Sequence, residues 1–312
     1  MEKQDCSCSI DTSIGKKRKF DFLPVALLSP TILVVLIVMI IPLIYGLFMS
    51  FFDYNIGAKA TSEDFVGIDN YISLIQDPVV WKSVKNTLVF TLFATGGDII
   101  VGTIIAVLLL RVSTSISRVT RAIYTMPLLI SPIVIGLIWR YMYDPYSGII
   151  YWILHFFGIG LAEFPGVTGQ STALLSVIIA HWWQIVPYVL IVVTAGLVSI
   201  PKELYEAARI DGASEMKSFF RITLPLLKNV YMVILITSGV GSIMVFDLIY
   251  SLTQGGPFNS SISISMYAYQ NAFELSKMGH AMTIAILAVV LAFIVFGIPF
   301  IKFNTAHDGG DR

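Results

Sequence analysis

The chain has 312 residues, of which 56% are hydrophobic and 13% charged. Soluble domains carry about 25% charged residues, so the composition excludes an ordinary soluble domain and fits a membrane domain with polar tails. Twenty basic residues balance twenty acidic ones, and that zero net charge leaves the placement of charge as the informative quantity.

Residues 1–21 are polar and contain the run Lys16-Lys17-Arg18-Lys19. The apolar run that follows, 22–52, is far longer than the 7–15 residues of a signal-peptide core. It is read as a first transmembrane helix, with Pro42 as a kink. Cys6 and Cys8 stand in the tail with no histidine nearby, which suits reduced thiols better than a zinc site. Residues 53–85 form a polar loop containing Phe65-Val66-Gly67-Ile68-Asp69-Asn70-Tyr71. Further spans are expected over 86–110, 122–141, 172–198, 226–252 and 278–301. Within the loop 144–171, residues 149–157 can form a short interfacial helix. A polar loop rich in Gly, Ser and Asn covers 253–277.

Lysine and arginine set the orientation, because they collect on the cytoplasmic side. With a cytoplasmic N-terminus and six crossings, fifteen of them fall inside and five outside. Both termini and the loop 201–225 are therefore expected to face the cytoplasm. The domain organisation expected is a tail (1–21), a first helix with its outer loop (22–85), a main membrane domain (86–302) and a second tail (303–312).

The loop 201–225, PKELYEAARIDGASEMKSFFRITLP, is the long polar interval within this membrane-like sequence. Glu203 and Glu206 lie near the positive end of a helix dipole. Leu204, Ala207, Ala208 and Asp211 share one small, flat face. Gly212 can adopt φ > 0 and end the helix. An ordinary cytoplasmic loop with an amphipathic helix has the same local features. The spacing of Glu206-Ala207-Ala208, Asp211-Gly212-Ala213, Ile222, Leu224 and Pro225 decides further: it resembles the EAA loop of ABC importer permeases. In that family the loop is the coupling helix that inserts into a cleft of the ATP-binding subunit. The resemblance implies this role for Glu206, Ala207, Ala208, Asp211 and Gly212.

Other stretches resemble the carbohydrate-uptake members, of the maltose and glycerol-phosphate type. They are the Phe246-Asp247 step, Thr253-Gln254-Gly255-Gly256-Pro257, and Tyr267 with Gln270-Asn271-Ala272-Phe273. An acid at Asp98 departs from that pattern.

No phosphate-binding P-loop, H-E-x-x-H or G-x-S-x-G occurs, so no catalytic residue, metal ligand or cofactor is assigned to this chain. Asp98 and Asp247 fall inside expected spans, where an acid costs roughly 2.5–3.5 kcal/mol. Each is either an interhelical hydrogen-bonding group or a contact on a solute path. Phe246 and Tyr250 stand close to Asp247 and join it as pathway candidates. His181, beside Trp182 and Trp183, is read as a packed or hydrogen-bonded histidine, with a pathway role as the alternative. Thr237, Ser238, Gly239, Gly241 and Ser242 would let a neighbouring helix approach closely.

The expected fold is an all-α membrane protein: a six-helix, type I importer permease bundle with a cytoplasmic coupling loop. The resemblance implies the membrane subunit of an ATP-driven importer for a sugar, oligosaccharide or sugar derivative, in a bacterial or archaeal plasma membrane. It also implies the partners: a second related permease, a dimer of ATP-binding subunits that hold the nucleotide, and an extracytoplasmic solute-binding protein. Nothing points to nucleic acid. Rival readings are a permease for a polyamine, phosphate or peptide, and an ion-coupled secondary transporter, which would leave the EAA-like loop unexplained.

Overall fold

The computed structural model of the chain describes residues 22–55, 57 and 62–302. Cys6, Cys8 and both tails lie outside the described residues. Two units divide at Gly46 and Leu47.

The first unit is one helix in two parts, α1 (Phe22–Val35) and the start of α2 (Ile41–Met49), joined by a π-helical turn at Leu36–Ile40. Pro42 has no N–H to donate to a carbonyl in the previous turn. The wide turn sits just before it, with the Ile41 N–H bonding back to Leu36 O. The expected kink at Pro42 is thus a local change of helical register.

The second unit is a bundle. In chain order it contains α3 (Asp69–Gln76), α4 (Pro78–Arg111), α5 (Thr114–Thr125), α6 (Pro132–Met142), α7 (Ile149–Phe156), α8 (Ala173–Ser199) and α9 (Lys202–Ile210). There follow α10 (Glu215–Ser218), α11 (Leu224–Leu226), α12 (Lys228–Ile243), α13 (Asp247–Leu252), α14 (Ile264–Tyr269) and α15 (Met278–Ala292). Among the described residues no strand forms beyond two isolated bridges.

Among the described residues four helices are long and apolar enough to cross a membrane: Leu27–Met49, Pro78–Arg111, Ala173–Ser199 and Met278–Lys302. Two bent pairs supply the rest if each is one span, giving up to six. The third span, expected to be continuous, turns by 102° between Ser115–Leu129 and Pro132–Met142. Ser131 is extended, as a residue before proline must be, and Pro132 starts the next helix. The fifth turns by 64° at Leu227 and ends at Ile243, short of the expected Leu252. Residues Ser238–Ser242 are mostly weak helix formers, and after Ile243 the chain is non-helical through Phe246, whose φ of −131° precedes α13. Asp247 therefore starts the separate helix α13 and is not inside the fifth span.

The core lies where α4 and α8 pack together. Phe90, Ala94, Val177 and Ala180 are buried there with Ile249 and Met266. Gly97 makes the approach possible, since a Cβ there would lie 2.2 Å from the Trp182 ring. The Trp182 indole N–H then reaches the α4 carbonyls of Phe93 and Ala94, each at 3.1 Å. At one end of the bundle Asp77 caps α4, accepting from the Val79 N–H at 2.8 Å. The Tyr267 hydroxyl donates to the same carboxylate. Burial, and then that hydrogen bond, push the Tyr267 phenol up to about 12. The Asn86 amide donates to the carbonyls of Asn259 and Ile262, fastening the loop before α14 onto α4.

Candidate functional site

Two surfaces stand out, one at each kind of position the sequence marked. The first is α9. Pro201 precedes it in an extended conformation (φ −59°, ψ 133°), and none of its residues is fully buried. Tyr205 points inward, its hydroxyl 2.8 Å from that of Thr223. Glu206, Ala207, Asp211 and Gly212 are exposed, Ala208 is half-buried, and Ile210 is 87% exposed. The helix ends in a complete Schellman motif. Gly212 takes φ +71°. Its N–H bonds to Arg209 O at 3.0 Å, and the Ala213 N–H bonds to Ala208 O at 2.8 Å. Ser214 then caps α10, accepting from the Lys217 N–H. Arg111, at the end of α4, pairs with Glu215 at 2.9 Å.

The second surface is an open cavity of about 440 Å³ bordered by α6, α8, α12 and α13. Its polar lining is His181, Gln184 and Tyr188 from α8, Thr237 and Ser238 from α12, and Asp247. Pro132, Ile185, Met244 and Phe246 supply apolar wall. Tyr188 and Thr237 share a hydrogen bond of 2.9 Å across it. Lysine and arginine are absent from this lining. Asp247 is exposed at the start of α13. Phe246 stacks on Tyr250 with centroids 5.4 Å apart, and Tyr269 completes the cluster at 5.0 and 5.2 Å from them. A hydrogen bond with Tyr250 is the main cause that raises the Tyr269 phenol above its ordinary range. Of the pathway candidates, Phe246 and Asp247 line the cavity, Tyr250 stands behind Phe246, and Asp98 does not reach it.

Asp98 is fully buried in α4. Its Oδ2 accepts from the Ser238 hydroxyl at 2.8 Å and lies 3.2 Å from His181 Nε2. Both partners line the cavity, so His181 is hydrogen-bonded and wall-forming at once. Sequence reasoning passed over Gln184, Tyr188, Thr237 and Ser238 as a lining. The signal was present: His181, Gln184 and Tyr188 recur at i, i+3, i+7 on one helix face. Among the described residues no group of three or more His, Cys, Asp or Glu gathers to hold a metal.

Residues 98–308 match the family described as binding-protein-dependent transport system inner membrane component. The chain belongs to this family. It is a membrane permease component of ABC transport, and the all-helical bundle is the fold of its type I importers. A probable ABC transporter permease of Bacillus subtilis, YurN, is 32% identical over 90% of this chain and 96% of its own length. The trehalose/maltose transport system permease MalF of Thermococcus litoralis is 34% identical over 88% of this chain and 91% of its own. A crystal structure of a bacterial alginate ABC transporter, in complex with an alginate pentasaccharide-bound periplasmic protein, superposes with a TM-score of 0.76 at 25% identity. The match covers 89% of this permease and 92% of that chain.

Proposed function

We propose that this permease carries an uncharged sugar or short oligosaccharide, and that the α6–α8–α12–α13 cavity is where the solute touches it. The observation that carries the reading is the lining. A hydroxyl-rich ring needs apolar or aromatic wall and a few well-placed hydrogen-bonding groups. His181, Gln184, Tyr188, Thr237, Ser238 and Asp247 supply the second, and Phe246 the first. A phosphate or another anion would call for the Lys or Arg that this lining lacks. The names of the relatives, a trehalose/maltose permease and an alginate transporter among them, support a carbohydrate.

In the same reading α9 is the coupling helix. Glu206, Ala207, Ala208, Asp211 and Gly212 form its docking face for an ATP-binding subunit, which holds the nucleotide. Closure of the ATPase dimer pushes α9, and the spans shift between two bundle arrangements. A second related permease completes the membrane part, and an extracytoplasmic binding protein delivers the solute to the opposite side. Both termini and α9 are cytoplasmic, by the lysine and arginine distribution. An impermeant thiol reagent should then miss Cys6 and Cys8 in intact cells and label them after lysis.

The functional test is uptake of labelled maltose by liposomes holding the complete complex and its binding protein. Accumulation should require ATP inside and binding protein outside. Asp247→Asn should change the KM for maltose while assembly stays normal. Parent-like kinetics at normal assembly would remove Asp247 from the solute path, and uptake of a polyamine in place of every neutral sugar tried would overturn the carbohydrate reading.

A further inference from the structure

Asp98 is a fully buried acid on the central helix, away from the cavity wall, and all its hydrogen bonding passes through one oxygen. Oδ2 meets His181 Nε2 and the Ser238 hydroxyl, while Oδ1 is buried with no hydrogen-bond partner. Helices α4, α8 and α12 thus converge on a single atom. The His181 ring is held on a second side by the Phe90 ring, edge-on at a centroid distance of 5.3 Å and 77°. Its neighbour Trp182 is pinned to α4 carbonyls through the close contact at Gly97. The imidazole therefore has little freedom to rotate.

We propose that Asp98 is a positioning residue for solute recognition: it fixes His181 with the hydrogen of Nε2 directed at the carboxylate, leaving Nδ1 as the nitrogen offered to the solute. The chemistry is general. Which imidazole nitrogen carries the hydrogen is set by the partner of the other, and a carboxylate accepts. Ser238 donates to the same oxygen, so its hydroxyl is oriented too, and the cavity receives two preset polar groups. A sugar hydroxyl can then donate to Nδ1 without the wall reorganising, which is the benefit of a preorganised site. The inference rests on the cavity being the solute site. It assigns Asp98 a place in that site without contact to the solute.

The experiment has one arm that needs no solute. The complex is prepared with nitrogen-labelled histidine, and the His181 signals are assigned by their loss in His181→Gln. The parent is expected to carry hydrogen on His181 Nε2. Asp98→Leu, which removes the acceptor, should give a mixture of ring forms, and Ser238→Ala should leave the ring as in the parent. Hydrogen on Nδ1 alone in the parent, or an unchanged ring in Asp98→Leu, would overturn the proposal, the first without any variant having to fold.

The second arm is maltose uptake. Asp98→Leu and His181→Gln should each raise KM roughly fivefold to tenfold, the worth of one hydrogen bond, with the maximal rate within about twofold of the parent. A purely structural loss would instead lower the amount of complex and the maximal rate at an unchanged KM. Parent-like KM in both variants would overturn the solute-facing part. No maltose uptake by the parent complex would count against the carbohydrate reading, and the spectrum alone would then decide the role of Asp98.

Discussion

The α9 segment and the Asp98–His181–Ser238 cluster are opposites in how they are built. One is a contiguous stretch whose cap, turn and exposed face are all written within about a dozen residues. The other joins residues 98, 181 and 238 from three helices at one buried oxygen. On the proposed reading, α9 as a surface for another protein is held up by local structure and leaves its side chains outside. On the same reading, the cavity wall as a surface for a small solute is held up by packing, and its groups have little meaning apart from their partners. The two should therefore fail differently: the cluster through solute affinity and, where the buried acid loses its partner, through stability; the helix through coupling.

The largest effect is expected at His181→Leu. It leaves the Asp98 carboxylate buried with Ser238 alone, and a buried polar group that loses its partner costs about 1–3 kcal/mol, more when the group is charged. The yield of monodisperse complex after detergent extraction should fall steeply. Asp98→Leu combined with His181→Leu should recover much of it, because the buried acid and its lost partner are then both gone. A double variant as poor as the single one would show that the cluster does not act as a unit.

Gly212→Val comes next and should separate the regions cleanly. A Cβ at Gly212 meets nothing within 4 Å, so the penalty is purely that of the backbone at φ +71°. An L-residue forced into that region costs roughly 1–2 kcal/mol, and a β-branched one is worse placed still. Membrane insertion should be normal, while ATPase co-purification or solute-stimulated hydrolysis is lost. Gly212→Asn should be milder. Full coupling in the valine variant would sever the link between the Schellman turn and docking.

The smallest effect is expected at Arg111→Ala. The side chains of Arg111 and Glu215 are 60% and 74% exposed, and such pairs contribute about 0–1 kcal/mol. Assembly should stay near that of the parent in physiological salt. A large loss would mean that this pair, and not the turn at Gly212, fastens the loop to α4.

Legibility in the sequence followed the same division. Lengths and apolar runs were sufficient for the straight spans, since a span needs only about twenty apolar residues. The Gly212 turn was equally readable, because its conformation follows from local chemistry. The breaks at Ser131–Pro132 and Leu227 were not, although Pro127, Pro132 and Pro225 stood in view. Proline permits a bend in a membrane helix as readily as a break, and only the packing chooses between them. Asp247 was misplaced for the same reason, the end of α12 at Ile243 carrying no strong stop signal. The polar lining was hidden by its dispersal, as Thr237 and Ser238 read equally well as small packing residues. For Asp98 both roles stood open, and no spacing within α4 points to His181.

The most direct measurement of the central claim, that α9 is the surface through which ATP drives this permease, is a cross-link from its exposed face. Ala207→Cys, in a chain with Cys6 and Cys8 replaced by serine, is exposed to a short thiol–amine cross-linker in the assembled complex. The expected product joins this chain to the ATP-binding subunit, and its yield changes between the nucleotide-free and ATP-bound states. A complex that retains its ATP-binding subunits and transports solute, yet gives no such product from Ala207→Cys in either state, would contradict it.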